Sequence, residues 1–448
     1  MANTATGAAA ADATPTPASP ATLRKVILGS LIGTTIEWYD FFLYGTAAAL
    51  VFGKLFFPKA DPLTATMASF ATYALGFAAR PLGGIVFGHF GDRIGRKRLL
   101  MISLVLMGAS TAAIGLLPSY AAIGAAAPIA LTLLRLIQGF AVGGEWGGAV
   151  LMAAEYGNAK DRGTWAGWPQ VGVPAGNLLA AGILAIMAAT QTDAQFAAWG
   201  WRVPFLLSVV LVAIGWWVRV SLEETPVFQA LAKKEDSLPR APLLEAFRRR
   251  PGGIAIGAGL RVGENVCYYV LTAFSITYLT EVSHFSKALA LNALLAGAAV
   301  ECFAMPFFSW LSDRIGRRPV YAIGAAGQAL WAFAFFRMLD TGATPMVLAA
   351  VIVGLVFHGA MYGPQAAFIA ELFPTRFRYS GASFAYQFTS IFAGSLAPII
   401  ALALFKATKS ATPIAIYVFV ACAISVVAAL MARETKGRSF AEIDAETA

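Results

Sequence analysis

Two carboxylates stand three residues apart in an otherwise apolar stretch, GTTIEWYDFFLYG at 33–45: Glu37 and Asp40. At i and i+3 they share roughly one helix face. Mutual repulsion there raises the proton affinity of at least one, and a nearby arginine opposes that rise. Proton coupling and a structural ion-pair network are the readings of each acid, with substrate contact a third for Asp40. Arg261 and Glu264 repeat the spacing within RVGENVCYYV, followed by Asn265, Tyr268 and Tyr269. A guanidinium here attracts a substrate carboxylate while amides and rings shape the rest of a binding pocket, or it pairs only with Glu264. Arg80, Arg135, Glu145 and Glu301 are further ionisable residues in apolar stretches, where burial demands partners. Arg135 can bind a carboxylate or hold an acidic side chain, and Gln138 lies one turn on. Arg80, just before Pro81, reads as a salt-bridge organiser or a direct substrate contact. Glu145, beside Trp146, reads as a cavity flank or an interhelix contact. The segment FHGAMYGPQAAF has the character of a broken helix around Pro364, so Tyr362 and Gln365 can line a cavity. Tyr386 and Gln387 carry the same two readings, substrate contact or packing.

The elements that hold these residues follow from composition. The chain has 448 residues, formal net charge +9 and 58% hydrophobic residues, with 13% charged and a mean hydropathy of +0.68. So few charges cannot clothe soluble domains. Uncharged runs occupy 99–134, 163–192, 341–370, 379–405 and 410–432, several of them meeting the roughly 20-residue length of a membrane-crossing helix. The spacing predicts crossings near 26–52, 66–89, 99–118, 124–152, 164–190 and 201–220, then 253–281, 288–312, 319–339, 344–370, 380–403 and 411–432. Residues 1–23 form a flexible Ala/Thr/Pro-rich tail, which is not a secretory signal. Two helical halves, 24–220 and 253–432, flank a polar linker at 221–252, and 433–448 form a second tail. Placing both termini on one side puts most of the 33 Lys and Arg residues there, and the positive-inside rule makes that side cytoplasmic.

The halves echo one another. GDRIGRKR around Asp92 recurs as SDRIGRRP around Asp313, 155–162 matches 371–378, and 224–226 loosely matches 434–436. Three matches in the same order indicate a duplicated unit of six helices, an arrangement suited to two bundles rocking about a central site. In the repeated loop Gly88, Asp92, Arg93, Gly95 and Arg96, with Asp313, Arg314, Gly316 and Arg317 as the second copy, form a releasable cytoplasmic gate, set the topology, or do both. Other chemistries find no support. Cys267, Cys302 and Cys422 are isolated, and His89, His284 and His358 form no metal-spacing motif. There is no phosphate loop of the GxxxxGK[ST] type, no nucleophile triad, and no basic domain for nucleic acid. Translocation without covalent change is the expected activity.

These motifs together resemble the major facilitator superfamily, specifically its metabolite:proton symporter branch. GHFGDRIGRKR at 88–98 and its second copy resemble the cytoplasmic loops of that family, and RLIQGFAVGGEWGGA at 135–149 its fourth-helix motif. GTTIEWYDFFLYG, RPLGG at 80–84 and ELFPTRFRYSG at 371–381 narrow and extend the match. The resemblance implies an all-α polytopic membrane protein with twelve transmembrane helices in two pseudo-symmetric six-helix bundles. It implies alternating access and uptake of a small organic ion, with protons as the coupling ion and no metal or cofactor. Asp40, Glu37 and Arg135 are the expected coupling residues. The expected setting is a bacterial-type inner membrane, with lipids as surroundings and a monomer as the working unit. The branch serves organic acids such as shikimate and 2-oxoglutarate and also zwitterions such as proline and betaine. A small organic carboxylate is the substrate expected here, and a zwitterion or osmolyte the alternative.

Overall fold

The computed structural model describes residues 20–94, 96–143, 153–154, 158–221 and 242–447. Its main helices are α1 (Pro20–Ala47), α2 (Pro62–Ile94), α3 (Arg96–Leu116), α4 (Ala126–Val142), α5 (Arg162–Thr190), α6 (Arg202–Ser221), α7 (Pro251–Tyr269), α8 (Lys287–Ile315), α9 (Arg317–Asp340), α10 (Thr344–Ala370), α11 (Arg378–Thr408) and α12 (Thr412–Met431). Local sequence sets several of the ends. Ser286 caps α8 by accepting a bond from the Leu289 N–H at 3.2 Å. Pro345 and Pro413 sit in the first turns of α10 and α12, where the missing N–H costs nothing. Gly316 separates α8 from α9 with φ +112°, a conformation that side chains other than hydrogen rarely adopt. The helices carrying the two i,i+3 motifs, α1 and α7, each run on into a wide i→i+5 turn, at Ala48–Phe52 and Val270–Phe274. Such turns recur where a helix must re-aim side chains near a site.

Among the described residues, α5, α8, α9, α10, α11 and α12 are each long and apolar enough to cross a bilayer. Asp193–Gly200 with Arg202–Val218, bent by 41°, makes a seventh. Of the others, α1, α2 and α7 contain ionisable residues, and α3 and α4 contribute shorter apolar stretches, Met101–Leu116 and Ala126–Val142. The chain is a multi-pass α-helical membrane protein. Large apolar side chains point outward along it, Phe303 at 79% exposed and Leu330 at 70% among them. A lipid-facing surface requires that pattern.

Helices preceding residue 222 pack chiefly on one another: α1 on α5 and α6, α2 on α4, α3 on α4 and α6. Those after residue 241 do the same, with α7 on α11 and α12, α8 on α10, and α9 on α10 and α12. The two sets meet where α5 lies against α8 and α10, and where α11 lies against α2. The region expected as a polar linker includes a short amphipathic helix, Pro242–Arg249, whose Phe247 ring meets Phe384 of α11 at 4.9 Å. The region expected as a tail ends in a helix too, Phe440–Thr447, with Ile443 buried.

Candidate functional site

The first cluster is assembled by α1, α3 and α4. Asp40, 1% exposed, accepts a bond at Oδ2 from the Thr111 hydroxyl at 2.9 Å. Gln138 Nε2 donates to that hydroxyl at 2.7 Å, and Arg135 Nη1 donates to Gln138 Oε1. Acid and guanidinium are thus linked through two neutral side chains. Among the described residues, Asp40 Oδ1 and Arg135 Nε and Nη2 have no hydrogen-bond partner. Buried polar atoms left in that condition are costly and mark where a proton or ligand group gains most. Aromatic faces supply part of the compensation: Arg135 lies 4.6 Å from the Phe41 ring centre, 4.5 Å from Tyr44 and 4.7 Å from Tyr73. Arg80 lies over the same Phe41 at 4.5 Å and over Phe77 at 4.6 Å, so one ring serves two cations. Glu37 is buried one turn before Asp40.

The second cluster is built by α7, α8, α10 and α11. Arg261 Nη1 contacts Glu264 Oε2 and donates to Gln365 Oε1 at 2.9 Å, and its Nη2 reaches the Ser390 hydroxyl at 3.4 Å. The guanidinium carbon lies over Tyr386, 3.5 Å from the ring centre, and the Tyr386 and Tyr362 hydroxyls share a bond of 2.8 Å. Glu264 Oε1 meets His358 Nε2 at 2.9 Å, and the other ring nitrogen, Nδ1, meets Glu301 Oε1. Asn265 turns back to its own helix, donating to the Arg261 carbonyl and to Glu264 Oε2. Between the clusters stands a wall of rings, with Phe42 against Tyr268 at 5.4 Å and Phe41 against Tyr269 at 6.4 Å. Asn177 of α5 donates to the Tyr268 hydroxyl at 3.1 Å across it. A small cleft opens there among Phe42, Thr46, Tyr73, Asn177, Tyr269 and Thr272.

Both ends of this central region are bridged. At one end Asp313 of α8 accepts from the Gly163 and Thr164 N–H groups at 2.9 and 2.7 Å, an acid seated on the N-terminus of α5. Arg317 holds the same Asp313 at 2.5 Å. Arg162 pairs with Glu371 at 2.9 Å, both side chains buried, and its guanidinium covers the Phe440 ring at 3.7 Å. Arg378 covers the same ring at 3.5 Å, and Arg162 also donates to the Arg438 carbonyl at 3.0 Å. Glu434 accepts from the Arg317 and Arg318 N–H groups at the start of α9. At the opposite end each bridge has at least one exposed side chain: Lys54 with Glu281 at 3.1 Å, Lys287 with Asp193 at 2.6 Å, and Lys406 with Asp61 at 3.1 Å. The Thr64 hydroxyl and Lys406 hold the Asp61 carboxyl down at about 2.

The structure therefore gathers Asp40, Arg135 and Gln138 at one centre, and Arg261, Asn265, Glu264, Glu301, Tyr362, Gln365 and Tyr386 at another, with Tyr268 and Tyr269 between them. Gln387 is half-buried, and its Oε1 has no hydrogen-bond partner among the described residues. Asp313, Gly316 and Arg317 sit in the bridged end, whereas Arg314 is exposed and lies over Trp310. Gly88, Asp92, Arg93 and Arg96 are described as helix alone, while Gly95 and Glu145 lie outside the described residues. Sequence reasoning missed His358, Thr111 and the Arg162–Glu371 bridge. An imidazole inside the uncharged run 341–370 was the available signal for the first. The repeated stretches 155–162 and 371–378, which contain Arg162 and Glu371, were the signal for the last.

Comparison with known proteins agrees with this architecture. A profile described as Major Facilitator Superfamily matches residues 30–398 and, in a second stretch, 264–441. The chain is 42% identical over 421 residues to a shikimate transporter of Escherichia coli (strain K12), covering 92% of this chain and 95% of the relative. It is 35% identical to a proline/betaine transporter of Salmonella typhimurium (strain LT2), covering 93% and 84%. The solved structure of the proton:xylose symporter XylE, bound to 6-bromo-6-deoxy-D-glucose, superposes with a TM-score of 0.75 at 17% identity, over 96% of this chain and 100% of that one.

Proposed function

The chain belongs to the major facilitator superfamily, and from that premise we propose that it is a proton symporter importing a small organic carboxylate by alternating access. The twelve main helices act as twelve crossings in two pseudo-symmetric bundles, 24–220 and 253–432, joined by a cytoplasmic linker at 221–252, with both termini in the cytoplasm. One observation carries the substrate class. Each half buries an arginine with guanidinium donors that lack hydrogen-bond partners among the described residues, Nε and Nη2 of Arg135 and Nε alone of Arg261. A carboxylate is the ligand that satisfies the Arg135 pair bidentately. The name of the shikimate transporter relative points the same way.

A zwitterion also needs faces for its ammonium group. Here the rings of Phe41, Tyr44, Tyr73 and Phe77 already lie under Arg80 or Arg135, which favours the anion. In the cycle, Asp40 takes a proton from outside while Arg135 and Arg261 attract the carboxylate. Joint occupancy lowers the cost of burying these charges and favours closure and inward release. Gln138, Asn265, Gln365 and the tyrosines Tyr268, Tyr269, Tyr362 and Tyr386 shape the remaining contacts, with Gln387 at the margin. Glu37, Arg80, Glu264 and Glu301 complete the charge network.

The test is uptake by purified protein in liposomes, with radiolabelled shikimate and glycine betaine under separately imposed pH and voltage gradients. Saturable shikimate uptake that collapses with the pH gradient is expected. Betaine uptake without shikimate uptake overturns the substrate class, and a gradient-independent conductance overturns the carrier.

A further inference from the structure

We infer that Glu264, His358 and Glu301 form a second proton-binding unit, whose occupancy decides whether Arg261 is available to a substrate carboxylate. The inference deepens the carboxylate reading above and rests on it. His358 is 1% exposed, and both of its ring nitrogens face carboxylate oxygens, Nε2 at 2.9 Å from Glu264 and Nδ1 against Glu301. Ionised carboxylates only accept hydrogen bonds, so each contact needs its own proton. Two arrangements provide two protons: an imidazolium between two carboxylates, or a neutral imidazole between one carboxylate and one carboxylic acid. Both give the three side chains a net charge of −1. Loss of one proton leaves −2 and one nitrogen–oxygen contact without hydrogen, a repulsion at contact distance. The unit therefore has a proton to give, and in the inward-open state it passes to cytoplasmic water.

The link to substrate runs through Glu264. Its Oε1 meets His358 while its Oε2 contacts Arg261. With two protons on the unit, the four groups including Arg261 sum to zero, Glu264 is shared with His358, and the guanidinium can meet an incoming anion. With one proton the sum is −1, and the centre repels the anion. Proton and carboxylate then strengthen each other's binding, as linkage requires and as symport needs. The other groups around the unit are neutral near pH 7: Tyr268 on α7 and Tyr362 on α10, whose rings lie 4.5 and 5.4 Å from the imidazole, with Cys302 on α8, Tyr321 on α9, Tyr386 on α11 and Asn177 on α5. Arg261 is the counter-charge in contact with the unit among the described residues.

The experiment uses the full chain in liposomes, with shikimate as probe and His358→Gln and Glu301→Gln as variants. Infrared difference spectra across a pH step, recorded on protein with isotope-labelled histidine and no substrate, should show an imidazole change that is lost in His358→Gln. Shikimate affinity in the wild type should fall as pH rises, by about 5- to 150-fold. Glu301→Gln, which removes one carboxylate but keeps the hydrogen bond, should bind shikimate with that dependence flattened. A His358→Gln protein with the wild-type infrared change, or a Glu301→Gln protein with the wild-type pH profile, overturns the inference. If no variant nor the wild type binds shikimate, yet the infrared change appears and is lost in His358→Gln, the proton unit stands and the substrate reading falls.

Discussion

Arg135 carries its charge against three rings and one amide oxygen, so its planarity matters as much as its sign. Arg135→Lys keeps the charge but cannot present a planar, delocalised cation to Phe41, Tyr44 and Tyr73 or a fork of donors. Losing a desolvated stacking contact of about 2 kcal/mol should weaken shikimate binding more than tenfold, measurable by equilibrium binding in detergent. Asp40→Asn keeps the Thr111 bond and removes the titrating group. Counterflow exchange should persist while accumulation driven by a pH gradient is lost; equal loss of both would make Asp40 a fold-supporting residue instead. Asp40, Arg135 and Arg261 were legible in the sequence because a charge in an apolar run is conspicuous alone. His358 was not, because its meaning lies in Glu264 and Glu301, 94 and 57 residues away, and spacing within one segment cannot display such partners.

At the scale of elements, α2 and α4 touch backbone to backbone. A Cβ on Gly139 would fall 1.9 Å from the Gly76 carbonyl oxygen, and one on Gly143 at 1.9 Å from that of Arg80. No rotamer relieves a clash with backbone, so Gly139→Ala must part the helices that present Arg80 and Arg135. A cost of about 1–3 kcal/mol or more is expected, read as a lowered Tm in detergent. Gly252→Ala, with nothing within 4 Å of the added carbon, is the matched control and should leave Tm in place or raise it slightly. Gly139 and Gly143 both fall in the motif RLIQGFAVGGEWGGA at 135–149, and uncharged runs announced most helices. The short helix Pro242–Arg249 escaped notice because eight residues in a strongly basic interval read as loop, and its anchor, Phe384, lies far along the chain.

Across the whole molecule the two bridged ends differ in kind. The solvent-accessible Lys–carboxylate pairs at one end hold weakly and are weakened further by salt. The Arg162–Glu371 contact at the other is buried, and removing one partner of a buried pair costs about 3–5 kcal/mol. Glu371→Gln should therefore favour opening at that end, measurable as faster labelling of a cysteine placed in α5 beside Arg162. Raising salt should instead favour opening at the exposed end. Acid will not do the same over the ordinary range. A depressed carboxylate adds stability above its unfolded value and loses it only as pH falls through the folded one, about 2 for Asp61. The Lys406–Asp61 bridge therefore keeps both charges between pH 5 and 8. The buried end also has a consequence for proteolysis. The carbonyl of Arg438 accepts its bond from Arg162, so the peptide bond after Arg438 is shielded while that contact lasts, whereas Arg433 is 80% exposed in its side chain. Trypsin cutting after Arg438, counted against cutting after Arg433, becomes a clock for how often the carrier unbolts at this end, with no label attached.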